Sequence, residues 1–203
     1  MGHAGRIQPE SRARNFVRAC WTRFPKPEDA PLRLISVEGS CGPVTIWGGL
    51  TYFQRRMSAS RILELSQHGP RRGVRAIDVA IAFRSAGLTV SFMTWPDPRM
   101  PGIERRSLRR AARIGVRITR TPSLETILAM LGPSRIAVVL YRETSGMLHL
   151  SPLLGADRKS LWLPYSSSSR MSRRTFVQRW SDPGACRQCV IVEANHPSTG
   201  VLV

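Results

Sequence analysis

The chain has 203 residues, 42% of them apolar, which is enough for one domain with a real core and excludes wholesale disorder. Basic residues number 31 against 13 acidic, a formal net charge of +18, and apart from Lys26 and Lys159 every basic residue is an arginine. That excess favours polyanionic partners (nucleic acid, an anionic membrane, an acidic protein) without choosing among them, and a GC-rich genome would leave the same bias.

In chain order, residues 1–31 carry arginines and prolines around a short apolar island, Phe16 to Trp21, and predict a basic, poorly ordered arm. Leu32 to Glu38 alternates like a strand, and Gly39 to Pro43 follows as a turn. Apolar residues at Val44, Trp47, Leu50 and Phe53 have helical spacing, with Pro43 tolerated in the first turn. Cys41 therefore lies at the mouth of a mostly buried helix. Arg75 to Ala86 predicts a second helix stopped by Gly87, and Leu88 to Met93 a strand. Ile103 to Ile114 is a helix, and Val116 to Thr119 a short strand. Ser123 caps a helix over Leu124 to Leu131. Strands are then predicted over Arg135 to Tyr141, Leu148 to Leu154 and Ser160 to Tyr165. A short helix over Arg173 to Trp180 and a last strand over Cys189 to Glu193 complete the chain. Helices first and an antiparallel sheet second make an α+β layout. The expected boundaries are an arm over 1–31, a domain over 32–195 and a short tail over 196–203.

No run approaches the ~18 apolar residues of a membrane-crossing helix. The residues after Met1 form no apolar signal core, which predicts a cytoplasmic protein, or one exported without a Sec signal peptide. Four cysteines are too few for a disulfide scaffold.

Thiolate chemistry needs a lowered cysteine pKa and a base. A helix N-terminus supplies the first through its dipole and free N–H groups, and Cys41 has that address. Of the four histidines, only His149 falls within a predicted strand, a rigid mount for a base. Together they have the arrangement of a papain-like thiol enzyme.

Ser40-Cys41-Gly42-Pro43 is similar to the nucleophile motif of the papain-fold cysteine peptidases that process double-glycine bacteriocin leaders. The order of elements resembles that family too. Ser123 to Leu131 matches its selector helix, His149 with Gly155 its histidine strand, and Arg173, Thr175, Phe176 and Trp180 its closing helix. The resemblance covers roughly residues 32 to 193. It implies a papain-like α+β fold, Cys41 and His149 as a catalytic pair, and a peptide or protein as substrate. Two positions depart from the pattern. The family carries Asp before a proline on the strand after the histidine, where Leu163 precedes Pro164 here. It carries Gln about six residues before the cysteine, where Ile35 stands here. The nearby polar residues are Ser36, Glu38 and Ser40, and a carboxylate such as Glu38 would repel an oxyanion. The third member of a triad is left open, with Asn195 one candidate. Two readings follow: a thiol-dependent peptidase or acyl-transfer enzyme, and a catalytically impaired binding module on the same fold.

Cys186 and Cys189 form a lone CxxC near His196, half of what a structural zinc needs. No phosphate loop, dinucleotide fingerprint or paired metal carboxylates occur, so no cofactor or metal is expected. Arg105, Arg106, Arg109, Arg110 and Arg113 fall on one side of a helix and could dock on an acidic protein or, without sequence specificity, on nucleic acid.

Overall fold

A computed structural model describes residues 23–69 and 73–194. Its centre is a five-stranded sheet in the order β2-β1-β8-β3-β4. These strands are β1 (Thr89–Met93), β2 (Arg117–Thr119), β3 (Arg135–Arg142), β4 (Leu148–Leu153) and β8 (Cys189–Glu193). A second sheet joins β5 (Gly155–Ala156), β6 (Ser160–Trp162) and β7 (Arg170–Ser172). β3 is an unbroken apolar run because both of its faces are covered. Ile136, Val138 and Leu140 enter one core, while Ala137, Val139 and Tyr141 enter another. β8 divides in the same way, Val190 and Val192 against Cys189 and Ile191. On the first face lie the helices Cys41–Tyr52, Ala59–Leu65 and Ala76–Ser85, and on the second the helices Leu124–Met130 and Arg173–Trp180 with the smaller sheet. Phe176 and Trp180 stack within that second core, ring centroids 5.5 Å apart.

The helices over Ala76–Ser85, Gly102–Arg113, Leu124–Met130 and Arg173–Trp180 form where apolar spacing places them. Ser123 and Ser172 cap theirs by accepting the Thr126 and Thr175 N–H groups. Several expectations are corrected. Leu32 to Glu38 is not a strand: Leu32–Ile35 is one helical turn entered from Pro31, with Leu34 buried and Leu32 turned to solvent. The alternation there marks one inward residue, not a pleat. The helix Ala59–Leu65, capped by Ser58, is an addition to the predicted elements. The sheet is not confined to the second half or wholly antiparallel, since β1 lies second in order and pairs with β2 in parallel. Finally, β6 stops at Trp162, because Leu163 to Tyr165 turn away at Pro164.

The expected arm over 1–31 is described only in its last nine residues. Residues 1–22 lie outside the described residues, but Phe24 and Ala30 are core residues. Phe24 sits between the rings of Tyr52 and Tyr165, each centroid 5.6 Å away. The end of the expected domain at 195 and the tail 196–203 also lie outside the described residues. No helix among the described residues is long and apolar enough to cross a membrane.

Phe24→Ala should therefore destabilise the fold by about 3 kcal/mol, the usual cost of a truncated core aromatic. The denaturant midpoint measures it. A solvent-exposed arm would predict almost no change.

Candidate active site

The sequence around Cys41 delivers its thiol to the sheet. Gly39 takes a left-handed conformation, φ 70°, which turns the chain from the Leu32–Ile35 helix into the next. Cys41 is the first residue of the helix Cys41–Tyr52, so its N–H is one of the terminal donors that no helical carbonyl satisfies. That helix crosses β4, with the Thr45 hydroxyl donating to the Leu150 carbonyl at 3.2 Å.

His149 lies on β4, directly opposite Tyr141 on β3, and their rings meet edge to face with centroids 5.6 Å apart. The Cys41 thiol and the His149 imidazole lie close enough for each to shift the other's titration. They share a cleft of about 260 Å³ whose walls include Pro27, Ile35, Val44 and Tyr165. The two site residues that the sequence marks are thus brought together, one from the helix and one from the sheet.

The far side of the imidazole is held by a group that is not a side chain. His149 Nε2 lies 2.8 Å from the Tyr165 carbonyl oxygen. A carbonyl only accepts, so Nε2 carries the proton and donates it. Nδ1 is then the nitrogen that faces the thiol, and in the neutral ring it bears the lone pair. This is the positioning that an Asp supplies in a triad. Tyr165 is fixed at three points. Its N–H donates to Ser151 Oγ at 3.3 Å, its carbonyl accepts from His149, and its hydroxyl donates to the Pro25 carbonyl at 3.1 Å. Ser151 follows His149 by two on the same strand and so shares its face. Gly48, on the Cys41 helix, leaves the room this needs: a Cβ there would collide with the Tyr165 hydroxyl and the Phe24 ring.

Where the sequence left a third residue open, the partner on His149 Nε2 is a main-chain oxygen. Leu163 contributes nothing to it, being fully buried in the second core. Asn195 and His196 lie outside the described residues. A main-chain role leaves no residue signature; the signal available was Pro164, which ends the strand and turns the chain. Ile35, in the place of the oxyanion Gln, lines the cleft with an apolar side chain. The Ser36 hydroxyl is spent on the Leu32 carbonyl at 2.8 Å. The Ser40 side chain makes no capping bond and lines the cleft beside Cys41.

Electrostatics couple the pair. Burial pushes the Cys41 thiol up. The hydrogen bond and charge of His149, with the Leu150 and Gly42 N–H groups, outweigh burial and hold the thiol below its ordinary value. Burial pushes His149 down, and the Cys41 thiolate, the Glu143 carboxylate and the Tyr165 carbonyl together hold it above its ordinary value. Each charge favours the other, which promotes the thiolate–imidazolium form of the pair.

Elsewhere the sequence candidates separate. Cys186 and Cys189 are free thiols, and burial pushes Cys189 far up, so it is inert at neutral pH. No cluster of three or more metal-ligating side chains occurs among the described residues. Arg105, Arg106, Arg109 and Arg113 are exposed and Arg110 is half-buried, all on the helix Gly102–Arg113, with Ser107 and Ala111 turned inward.

No protein-family model matches the chain, and no curated protein matches it. Two solved structures are similar. One is the peptidase domain of Streptococcus ComA, a bifunctional ABC transporter involved in quorum sensing: 15% identity, TM-score 0.49, over 76% of this chain and 91% of that one. The other is a double glycine motif protease from an AMS/PCAT transporter, in complex with its leader peptide: 14% identity, TM-score 0.50, over 79% of this chain and 88% of that one. The fold is similar to that of a double-glycine peptidase domain. The likeness is one of α+β architecture, over 79% of this chain.

The pKa directions give a signed expectation. Alkylation of Cys41 by iodoacetamide should begin at a pH below that of an ordinary thiol. In His149→Ala the lowering hydrogen bond and charge vanish while burial remains, so the onset moves up. Each unit of that movement costs about tenfold in thiolate at pH 6.5. Rate–pH profiles of the two proteins measure it.

Proposed function

We propose that the chain is a cysteine peptidase that acts on a peptide substrate through Cys41 and His149. The observation that carries this reading is the pair itself: a half-buried thiol at a helix N-terminus, sharing one cleft with an imidazole whose Nε2 is tied to the Tyr165 carbonyl. The Cys41 thiolate attacks the scissile carbonyl carbon. We place the oxyanion beside the Cys41 N–H at the helix mouth, with the Ser40 hydroxyl lining the same cleft. His149 passes its Nδ1 proton to the leaving amine, then takes one from the water that releases the acyl group. The Glu143 carboxylate favours the charged imidazole, and the Tyr165 carbonyl keeps it oriented. The similar protease that binds a leader peptide supports a peptide as the substrate class. The same acyl-enzyme could pass its acyl group to an amine, and product analysis separates that from hydrolysis.

Cys41→Ala should abolish peptide turnover and acyl-enzyme formation by mass spectrometry, and His149→Ala should slow it by about 10²- to 10⁴-fold. Full biological activity in Cys41→Ala would identify a binding module instead.

We propose a second role for a separate surface. Arg105, Arg106, Arg109, Arg110 and Arg113 make no ion pair among the described residues. Arg106, Arg110 and Arg113 line a hollow of about 520 Å³ with Gln67 and Ser107. This face suits an anionic partner held by charge. Replacing all five with Gln should flatten the salt dependence of such binding while each change moves stability by no more than about 0.5 kcal/mol. Titration at several salt concentrations and a melting curve measure the two.

A further inference from the structure

We infer that Ser151 is a positioning residue of the reaction: its hydroxyl aims the Tyr165 carbonyl at His149, and so sets which nitrogen of the ring meets Cys41. This role rests on the peptidase reading above and adds one residue to its machinery. Ser151 is a polar side chain in an apolar place. It is completely buried on β4, opposite Val139 of β3, with Leu150 and Leu153 of its own strand buried beside it. A hydroxyl taken out of water costs free energy unless it is hydrogen-bonded. The Ser151 hydroxyl donates to the Pro152 carbonyl at 3.1 Å and accepts the Tyr165 N–H at 3.3 Å. A carbonyl only accepts and an N–H only donates, so the direction of both bonds is fixed.

The segment that gives this N–H needs an outside anchor. Leu163 to Ser166 form a turn, closed by the Ser166 N–H on the Leu163 carbonyl at 3.0 Å, with Pro164 and Tyr165 at its centre. That closure uses neither the N–H nor the carbonyl of Tyr165. The Tyr165 side chain fixes where the residue sits, through its hydroxyl on the Pro25 carbonyl and its approach to Gly48, but not the direction of the main chain. Both main-chain groups go to β4 instead: the N–H to Ser151, and the carbonyl to His149 Nε2 at 2.8 Å. His149 and Ser151 lie two apart on one strand and share a face, so they grip a single residue at two points. A histidine cannot set its own orientation through the group it is oriented by. The grip that is independent of the ring is the one from Ser151.

The aim of that carbonyl decides what the ring can do. While it accepts from Nε2, Nδ1 keeps its lone pair toward the thiol. If it swings away, the Nε2–H loses its acceptor in a half-buried site, the imidazolium loses a stabilising dipole, and the ring is free to turn. Cys41 then loses part of the charge that keeps it ionised. Ser151 is not among the residues that line the cleft, so its influence on the thiol passes through Tyr165 and His149.

The test uses the full chain and iodoacetamide, with alkylation of Cys41 followed against pH by mass spectrometry. Ser151→Ala should lower the rate at pH 6.5 by about fivefold, the effect of one neutral hydrogen bond, and move the onset of alkylation toward that of His149→Ala. Added to His149→Ala, it should have no further effect, because the two residues act through one chain of contacts. Val139→Ala, opposite Ser151 across the ladder, loosens the second core without removing a hydrogen bond and should keep the wild-type profile. In histidine-labelled protein, the His149 Nε2–H should exchange with water faster in Ser151→Ala than in the wild type. If Ser151→Ala fails to fold, Ser151→Cys, which keeps the shape with a weaker acceptor, should move the profile the same way by less. A Ser151→Ala profile that coincides with the wild type, a further fall in the double variant, or an equal shift in Val139→Ala would overturn the inference. The wild-type and His149→Ala profiles tell that failure apart from failure of the peptidase reading. A low wild-type onset that rises in His149→Ala leaves the pair standing without Ser151, and two coincident profiles remove both.

Discussion

Gly48 sets the geometry of this molecule more than any reactive group does. Without a Cβ, the Cys41 helix accepts the Tyr165 hydroxyl and the Phe24 ring against its backbone. That contact draws the segment after β6 over the helix, and Tyr165 brings its carbonyl to His149. It also gathers the segment before the first helix, because the same hydroxyl donates to the Pro25 carbonyl. Pro27, from that segment, and Tyr165 then stand as two walls of one cleft. One missing methyl group thus holds together three stretches of chain that are far apart in sequence.

The pair inside the cleft balances opposing demands. Burial alone would leave a neutral thiol and a neutral imidazole. Contact alone, in water, would give a weak and screened attraction. Half-burial at the junction of a helix end and a strand gives each group the other's charge at short range, and the helix start supplies N–H donors as well. The Asp of a triad performs two tasks, orienting the ring and stabilising its charge. Here they are divided: a carbonyl orients, and Glu143 lends charge from the β3 end.

Much of this was legible in the residues. Ser40-Cys41-Gly42-Pro43 announces a thiol at a helix start, and the apolar run of β3 announces a strand covered on both faces. His149 was legible because a single histidine falls on a strand. What stayed hidden depends on contacts between distant segments. Leu32 to Ile35 alternates like a strand, yet one residue of it, Leu34, finds the core. Phe24 reads as part of a polar arm until Tyr52 and Tyr165 are seen on either side of it. The β1–β2 pairing crosses a helix between the strands, and three-residue β2 is too short to declare its direction.

The Tyr165 carbonyl belongs to the peptide link that every residue shares. The acceptor itself therefore leaves no mark in residue identity, while the Tyr165 side chain, tied to the Pro25 carbonyl and packed on Gly48, holds the turn that presents it. The trait to look for is a turn placed so that its oxygen meets the ring, and that trait is inherited through the shape of the backbone.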